Sequence, residues 1–126
     1  MMTEQEFQEV EEIFLKFLEK ESGYYHVILD LTCTEGERLE KGKPFEEIQN
    51  LLRKKKIILS CIEEIEISLA PLKKYWMQNK ARSSQRAQQI QAQIVALSVL
   101  VKEILQQDLE NQQRLKHYLT VVKSQK

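Results

Sequence analysis

Two histidines, His26 and His117, and two cysteines, Cys33 and Cys61, are the side chains of this 126-residue chain best suited to nucleophilic, metal or phosphoryl chemistry. Their spacing argues against all three. A zinc site needs cysteines or histidines paired a few residues apart, and neither cysteine has such a neighbour. A histidine on a helical bundle can carry a phosphoryl group. However, Arg114-Leu115-Lys116-His117-Tyr118-Leu119 lacks the His-x-Leu-Lys-Gly pattern of phosphotransfer modules, and Val27-Ile28-Leu29 after His26 does not supply it either. No glycine-rich loop follows a strand, and no serine or cysteine has an evident base. The expectation is a protein that is not an enzyme and has no metal and no cofactor, its two cysteines serving as small core or flanking residues in a reducing compartment.

Charged and polar groups on the helical stripes are more telling. Arg53-Lys54-Lys55-Lys56 is strongly basic, yet four consecutive helical residues point around the cylinder and form no single patch for a phosphate. Solvation and pairing with an acidic helix are the expected uses. Asp108 and Asn111 interrupt an otherwise apolar seam. Two readings fit them: polar groups that fix register or partner choice, or residues left at a wet edge where the seam swings toward Leu105 and Leu109.

The elements that must position these residues are long helices. Ala87, Ile90, Ile94, Leu97, Val101, Ile104, Asp108, Asn111, Leu115, Tyr118 and Val122 alternate steps of three and four, which holds one face of a helix toward a partner. Residues 84–123 therefore form the third helix, with Ser83 or Ser84 as its cap and Gln78 to Ser84 as the preceding loop. Upstream, Ile48, Leu51, Lys55, Ile58, Ile62, Ile65, Leu69, Leu72 and Trp76 make a second stripe over residues 44–78, in phase through Pro71, where a kink is expected. A first helix over residues 4–40 starts at the capping box Thr3-x-x-Glu6 and carries Phe7, Val10, Phe14, Phe17, Tyr24, Ile28 and Leu31, with Glu21 on the same stripe. Gly23, Thr32 and Thr34 are its weak points, and Thr34-x-x-Glu37 offers a second box. Gly42 and Pro44 separate the first two helices.

The fold class that follows is all-α: one domain over residues 1–126, an elongated antiparallel bundle or coiled coil of three long helices. Three glycines, two prolines and a charged fraction of 30% agree with it. The polar, acidic start is unlike a signal peptide, and no apolar run approaches the roughly 20 residues of a membrane span, so a cytoplasmic protein is expected. Residues 1–40 carry eleven acidic and three basic groups, a charge of −8, and residues 41–126 carry +8. The first helix should therefore attract the other two, which leaves no net basic surface for nucleic acid. Val95, Leu105, Leu109 and Leu119 widen the apolar face of the third helix beyond one seam, leaving surface for a partner or a homodimer.

The chain resembles the FlgN-type flagellar export chaperones. The resemblance runs through Glu21, Tyr25, Ile28 and Leu31, then Glu35-x-x-x-Leu39, then Phe45-x-x-Ile48-x-x-Leu51-Leu52-x-x-Lys55-x-x-Ile58, then Ile62-x-x-x-Glu66, and ends at Ile104-Leu105-x-x-Asp108-x-x-Asn111-x-x-x-Leu115. Pro71 to Ser84 takes no part. The resemblance implies a cytoplasmic helical chaperone that binds the C-terminal helical segments of hook-associated (FlgK- and FlgL-like) proteins, prevents premature assembly and delivers them to the type III export apparatus. It places the cargo contact on the third helix, at Leu105, Leu109, Leu115, Leu119 and Val122, with Asn111 and Gln112 setting register. Each leucine also has a plain use inside the bundle or a homodimer. A scaffolding coiled coil that only oligomerises, and chaperones of the FliT or FliS type with other cargo, are the alternatives.

Overall fold

The computed structural model describes residues 3–79, 81 and 86–124. The described residues form three helices and no strand: α1 (Glu4–Glu40), α2 (Phe45–Asn79) and α3 (Ala87–Ser124). At about 1.5 Å per residue each rod is roughly 50 to 60 Å long. Phe7, Trp76 and Ile90 share a cluster at one end, and Leu39, Ile48 and Tyr118 share one at the other. Thus α2 runs antiparallel to both neighbours and α1 lies parallel to α3.

Local chemistry sets the helix ends. Thr3 is extended, and its hydroxyl oxygen accepts from the Glu6 amide at 3.1 Å. The Glu6 carboxylate reaches back to the Thr3 hydroxyl, at 3.0 Å, and not to the backbone amide that a reciprocal capping box uses. At the far end Lys43 N–H donates to the Arg38 carbonyl and Gly42 N–H to that of Leu39, with Gly42 at φ +64°. This is a Schellman turn, whose left-handed position favours glycine because a Cβ there meets the backbone. Thr32 and Thr34 donate to the carbonyls of Ile28 and Asp30, so neither restarts the helix, and α1 is continuous. The expected cap at Ser83 or Ser84 lies outside the described residues. The loop expected from Gln78 begins later, since Gln78 and Asn79 are still helical. Helix α2 also continues through Pro71. The Ile67 carbonyl that loses its partner there lies on the exposed face it shares with Pro71, where water can satisfy it.

Packing is asymmetric. Helix α1 lies along both α2 and α3, whereas α2 and α3 hardly approach one another. Every position of the two stripes read on α2 and α3 is buried or half-buried. On α1 the reading needs correction. Val10, Phe17, Tyr24 and Leu31 are only half-buried, while Glu11, Leu18, Thr32, Glu35 and Leu39 join Phe7, Phe14, Glu21 and Ile28 as buried. A central helix serves two partners, so it buries adjacent heptad columns where a helix with one seam buries a single stripe.

Between the middle cluster (Ile28, Ile62, Leu100, Ile104) and the end cluster runs a belt of polar contacts. Lys55 bridges Glu35 at 3.4 Å and Asp108 at 3.0 Å, tying all three helices together. Asn111 donates to the Thr32 carbonyl at 2.7 Å and accepts from Arg114, which pairs with Glu40 at 2.9 Å. Arg86 reaches Glu12 at 3.7 Å, and Arg38 reaches Glu47 at 3.5 Å. Lys55, Arg86 and Arg114 thus bring basic groups of the rest of the chain to the acidic first helix, whereas the Arg38–Glu47 pair runs the other way, with its cation on α1.

Two glycines of α1 should respond oppositely to alanine. A Cβ on Gly36 would lie 2.5 Å from Asn111 Oδ1 and 2.8 Å from an Arg114 guanidinium nitrogen, so Gly36→Ala should cost about 1 to 3 kcal/mol by disrupting the belt. Gly23 faces open space, and Gly23→Ala should add about 0.5 to 1 kcal/mol by restricting the unfolded chain. Urea denaturation of the two variants beside the parent measures both. Equal shifts would contradict the close approach at Gly36.

Candidate functional site

Because α2 and α3 are both applied to α1 but not to each other, an open groove of about 490 Å³ runs between them. Its floor is α1, through Phe14, Leu18, Glu21 and Tyr25. One wall is Glu66, Leu69, Ala70 and Lys73 of α2, and the other is Ile94, Leu97, Ser98 and Val101 of α3. The bridge from Lys55 to Asp108 joins the walls at a level further along the bundle.

Exposed apolar residues lie on both rims, interspersed with exposed charges such as Glu63 and Lys102. Leu59 precedes Glu66 by one heptad, Leu52 precedes Leu59 by another, and Met77 follows Ala70 by one, so the three share the groove-side flank of α2. On α3, Leu105 and Leu109 continue Val101 in steps of four, and Val95 lies beside Ser98 one turn on. Leu105 is 57% exposed, Leu109 56% and Leu119 44%.

The seven positions singled out on the third helix therefore divide. Leu105, Leu109, Gln112 and Leu119 face outward. Leu115 and Val122 are half-buried against the end cluster, which gives them a packing use. Asn111 is only 2% exposed and cannot contact a partner, a correction whose reason is its bond to the Thr32 carbonyl. The register it fixes is that of α3 on α1. The seam does not swing toward Leu105 and Leu109, which are exposed, so the wet-edge reading fails for Asn111, whereas Asp108, its side chain 38% exposed, does lie at the edge. Lys55, expected to pair with the first helix, does so. Cys33 is exposed and Cys61 half-buried, so neither is a core residue, and both histidines are exposed.

Within the groove, carboxylates meet apolar walls. Glu21 is 7% exposed and forms no ion pair among the described residues. Burial, the charge of Glu66 and a hydrogen bond shared with Glu66 push its pKa up to about 7, against a smaller lowering by Lys73. Tyr25 donates to Glu66 at 3.3 Å, and burial together with Glu66 and Glu21 raises its hydroxyl to about 12. The α3 wall contributes Ser98 and no titratable group. Glu21 was visible in the sequence as a charge on an apolar stripe. Its meeting with Glu66 was not, because periodicity ranks positions within one helix and says nothing of which residue of another helix lies opposite.

The fold and groove define an all-α three-helix bundle with a central helix and an open face. No family model, no curated protein and no solved structure matches the chain. None of its helices is long and apolar enough to cross a membrane, among the described residues.

Glu21 gives the bundle a pH dependence of definite sign. Below about 4.5 the carboxyl is protonated in both folded and unfolded chains, and its burial carries no electrostatic cost. As pH rises the unfolded chain ionises first, so stability is lost across the interval and the loss is complete above about 7. Glu21→Gln, neutral throughout, should therefore melt a few degrees above the parent at pH 8, with the gap closing toward pH 4.5. Melting curves across this range test it, and a gap independent of pH would show that Glu21 ionisation is not the cause.

Proposed function

We propose that this protein is a cytoplasmic chaperone of flagellar type III export, which shields the C-terminal amphipathic helices of hook-associated proteins and presents them to the export apparatus. The observation that carries the reading is the outward row Leu105, Leu109 and Leu119 on α3, which follows in chain order the segment that lines the open groove. A helix destined for the inside of a filament displays an i, i+3, i+4, i+7 apolar face that aggregates if left in water. A bundle with one helix pair held apart offers a matching surface without unfolding. The motif positions of the resemblance converge in space as well: Tyr25 meets Glu66, and Lys55 meets Glu35 and Asp108.

The polar belt supports this use. It locks α3 to α1 on one side of the helix while leaving the opposite apolar shoulder unused. Locking the carrier in advance lowers the ordering cost of binding, because only the cargo helix must lose conformational freedom. Self-association through the same leucines is the competing use, and it differs in stoichiometry.

Light scattering with a peptide from the C-terminal segment of a hook-associated protein should convert the free protein into a complex with one peptide per chain. A mass that grows with concentration and ignores the peptide would favour a self-assembling coiled coil. Leu109→Asp and Leu119→Asp should each abolish peptide binding while circular dichroism stays helical and stability falls by no more than about 1 kcal/mol, the order of the lost helix propensity, because both side chains lie outside the core. Loss of helicity in either variant would instead make the leucine part of the fold.

A further inference from the structure

We infer that the groove between α2 and α3 accepts one amphipathic helix whose apolar stripe carries a lysine or arginine, the cation seated between Glu21 and Glu66 beside the Tyr25 hydroxyl. This deepens the chaperone reading and rests on it for the kind of partner. It adds a specific recognition element at a place other than the α3 leucines.

A carboxylate that is 93% buried normally has a cation or several N–H donors, because desolvating it unpaired is costly. Glu21 has neither among the described residues. It shares a hydrogen bond with a second carboxylate, Glu66, and the one cation lining the groove among the described residues, Lys73, forms no ion pair with it. Once Glu21 is ionised, above about pH 7, two acids against one base leave the groove negative within walls of Phe14, Leu18, Leu69, Ile94, Leu97 and Val101. Apolar walls exclude water and strengthen a charge pair formed between them.

Size and shape select the occupant. The lining covers residues 66–73 of α2 and 94–101 of α3, about two helical turns or roughly 12 Å. That span admits residues i, i+4 and i+7 of one helix, with Leu59 and Met77 on one rim and Val95 and Leu105 on the other to cover its flanks. A purely apolar helix would desolvate Glu21 and Glu66 without bringing them a cation, a penalty that a lysine at the middle position removes. The groove therefore discriminates among otherwise similar apolar helices by the presence of one cation.

Binding is then linked to proton release. The seated cation favours ionised Glu21, whose carboxyl holds a proton over much of the range below about 7 in the free protein. Affinity for a lysine-bearing helix should accordingly rise from pH 6 to pH 8. Glu66, Tyr25 and Lys73 are the other titratable groups facing the site, and Tyr25, raised to about 12, stays protonated throughout.

The test uses the full chain and two synthetic helical peptides with the same leucine stripe at i, i+3, i+4 and i+7. One has lysine and the other norleucine at the central stripe position. Fluorescence anisotropy should show the lysine peptide binding at least about tenfold more tightly at pH 8, with the preference shrinking at pH 6. Glu21→Gln combined with Glu66→Gln should bind the two peptides alike. The peptide substitution needs no change to the protein, so the result does not depend on whether that variant folds. Equal binding of both peptides by the parent overturns the cation site while leaving the helix-binding reading intact. Binding of neither peptide overturns the inference, and the hook-associated peptide then judges the chaperone reading separately. A stable dimer that blocks both peptides would assign the groove to a second copy and overturn it as well.

Discussion

Everything in this molecule depends on one helix having two partners. α1 is applied along its whole length to α2 on one side and to α3 on the other, while α2 and α3 keep apart. A helix in that position cannot confine its buried surface to a narrow stripe. Phe7, Phe14, Glu21, Ile28 and Glu35 form one heptad column, and Glu11, Leu18, Tyr25, Thr32 and Leu39 form the next. Burying two columns brings four polar residues inside, and each needs an answer. Glu11 accepts from the Trp76 indole, Thr32 bonds backwards to Ile28, and Glu35 takes Lys55. Glu21 is answered only by another acid, and the groove begins where that answer is missing.

The same constraint explains why the bundle combines apolar clusters with a polar belt. Hydrophobic contact alone would let two parallel helices such as α1 and α3 slide by a heptad, since each presents repeating apolar positions. Asn111 on the Thr32 carbonyl, against a glycine that leaves it room, fits at only one register. Lys55, reaching Glu35 and Asp108 together, fixes the third helix to the other two. The Asn111 bond and the Lys55–Glu35 pair are largely buried, so their partners would be costly to leave unmatched, while the Asp108 side of the bridge is partly exposed. Their contribution is to exclude alternatives, and one fixed arrangement is what allows the apolar shoulder of α3 to remain available.

Two surfaces of different character lie side by side as a result. The outward leucines of α3 are an unspecific apolar row, able to meet any amphipathic helix. The groove beside them is narrow and negatively charged, and it holds a carboxyl whose proton is only loosely kept at neutral pH. An apolar row gives affinity and a buried charge gives choice, because an unmatched charge is penalised far more than an imperfect apolar contact. The pairing suits a protein that must hold a sticky segment without holding every sticky segment.

How much of this was legible in the residues depended on the range of the interaction. The seams of α2 and α3, the cap at Thr3, the Gly42 turn and the attraction between an acidic first helix and a basic remainder all follow from spacing and side-chain type. Each acts within a few residues or through net charge. Ile90 through Val122 needed only a period of three and four to be recognised as a packed face. The second buried column of α1 was hidden, since Glu11, Thr32 and Glu35 look like solvent residues until two neighbours cover them. That Leu109 is free while Asn111 is enclosed likewise follows from where α1 lies against α3. The sequence by itself determined three amphipathic rods, because periodicity is written locally in the chain. Only the tertiary structure decided which acids face each other across a groove, because opposition between helices is set by rotation and register that no single helix encodes.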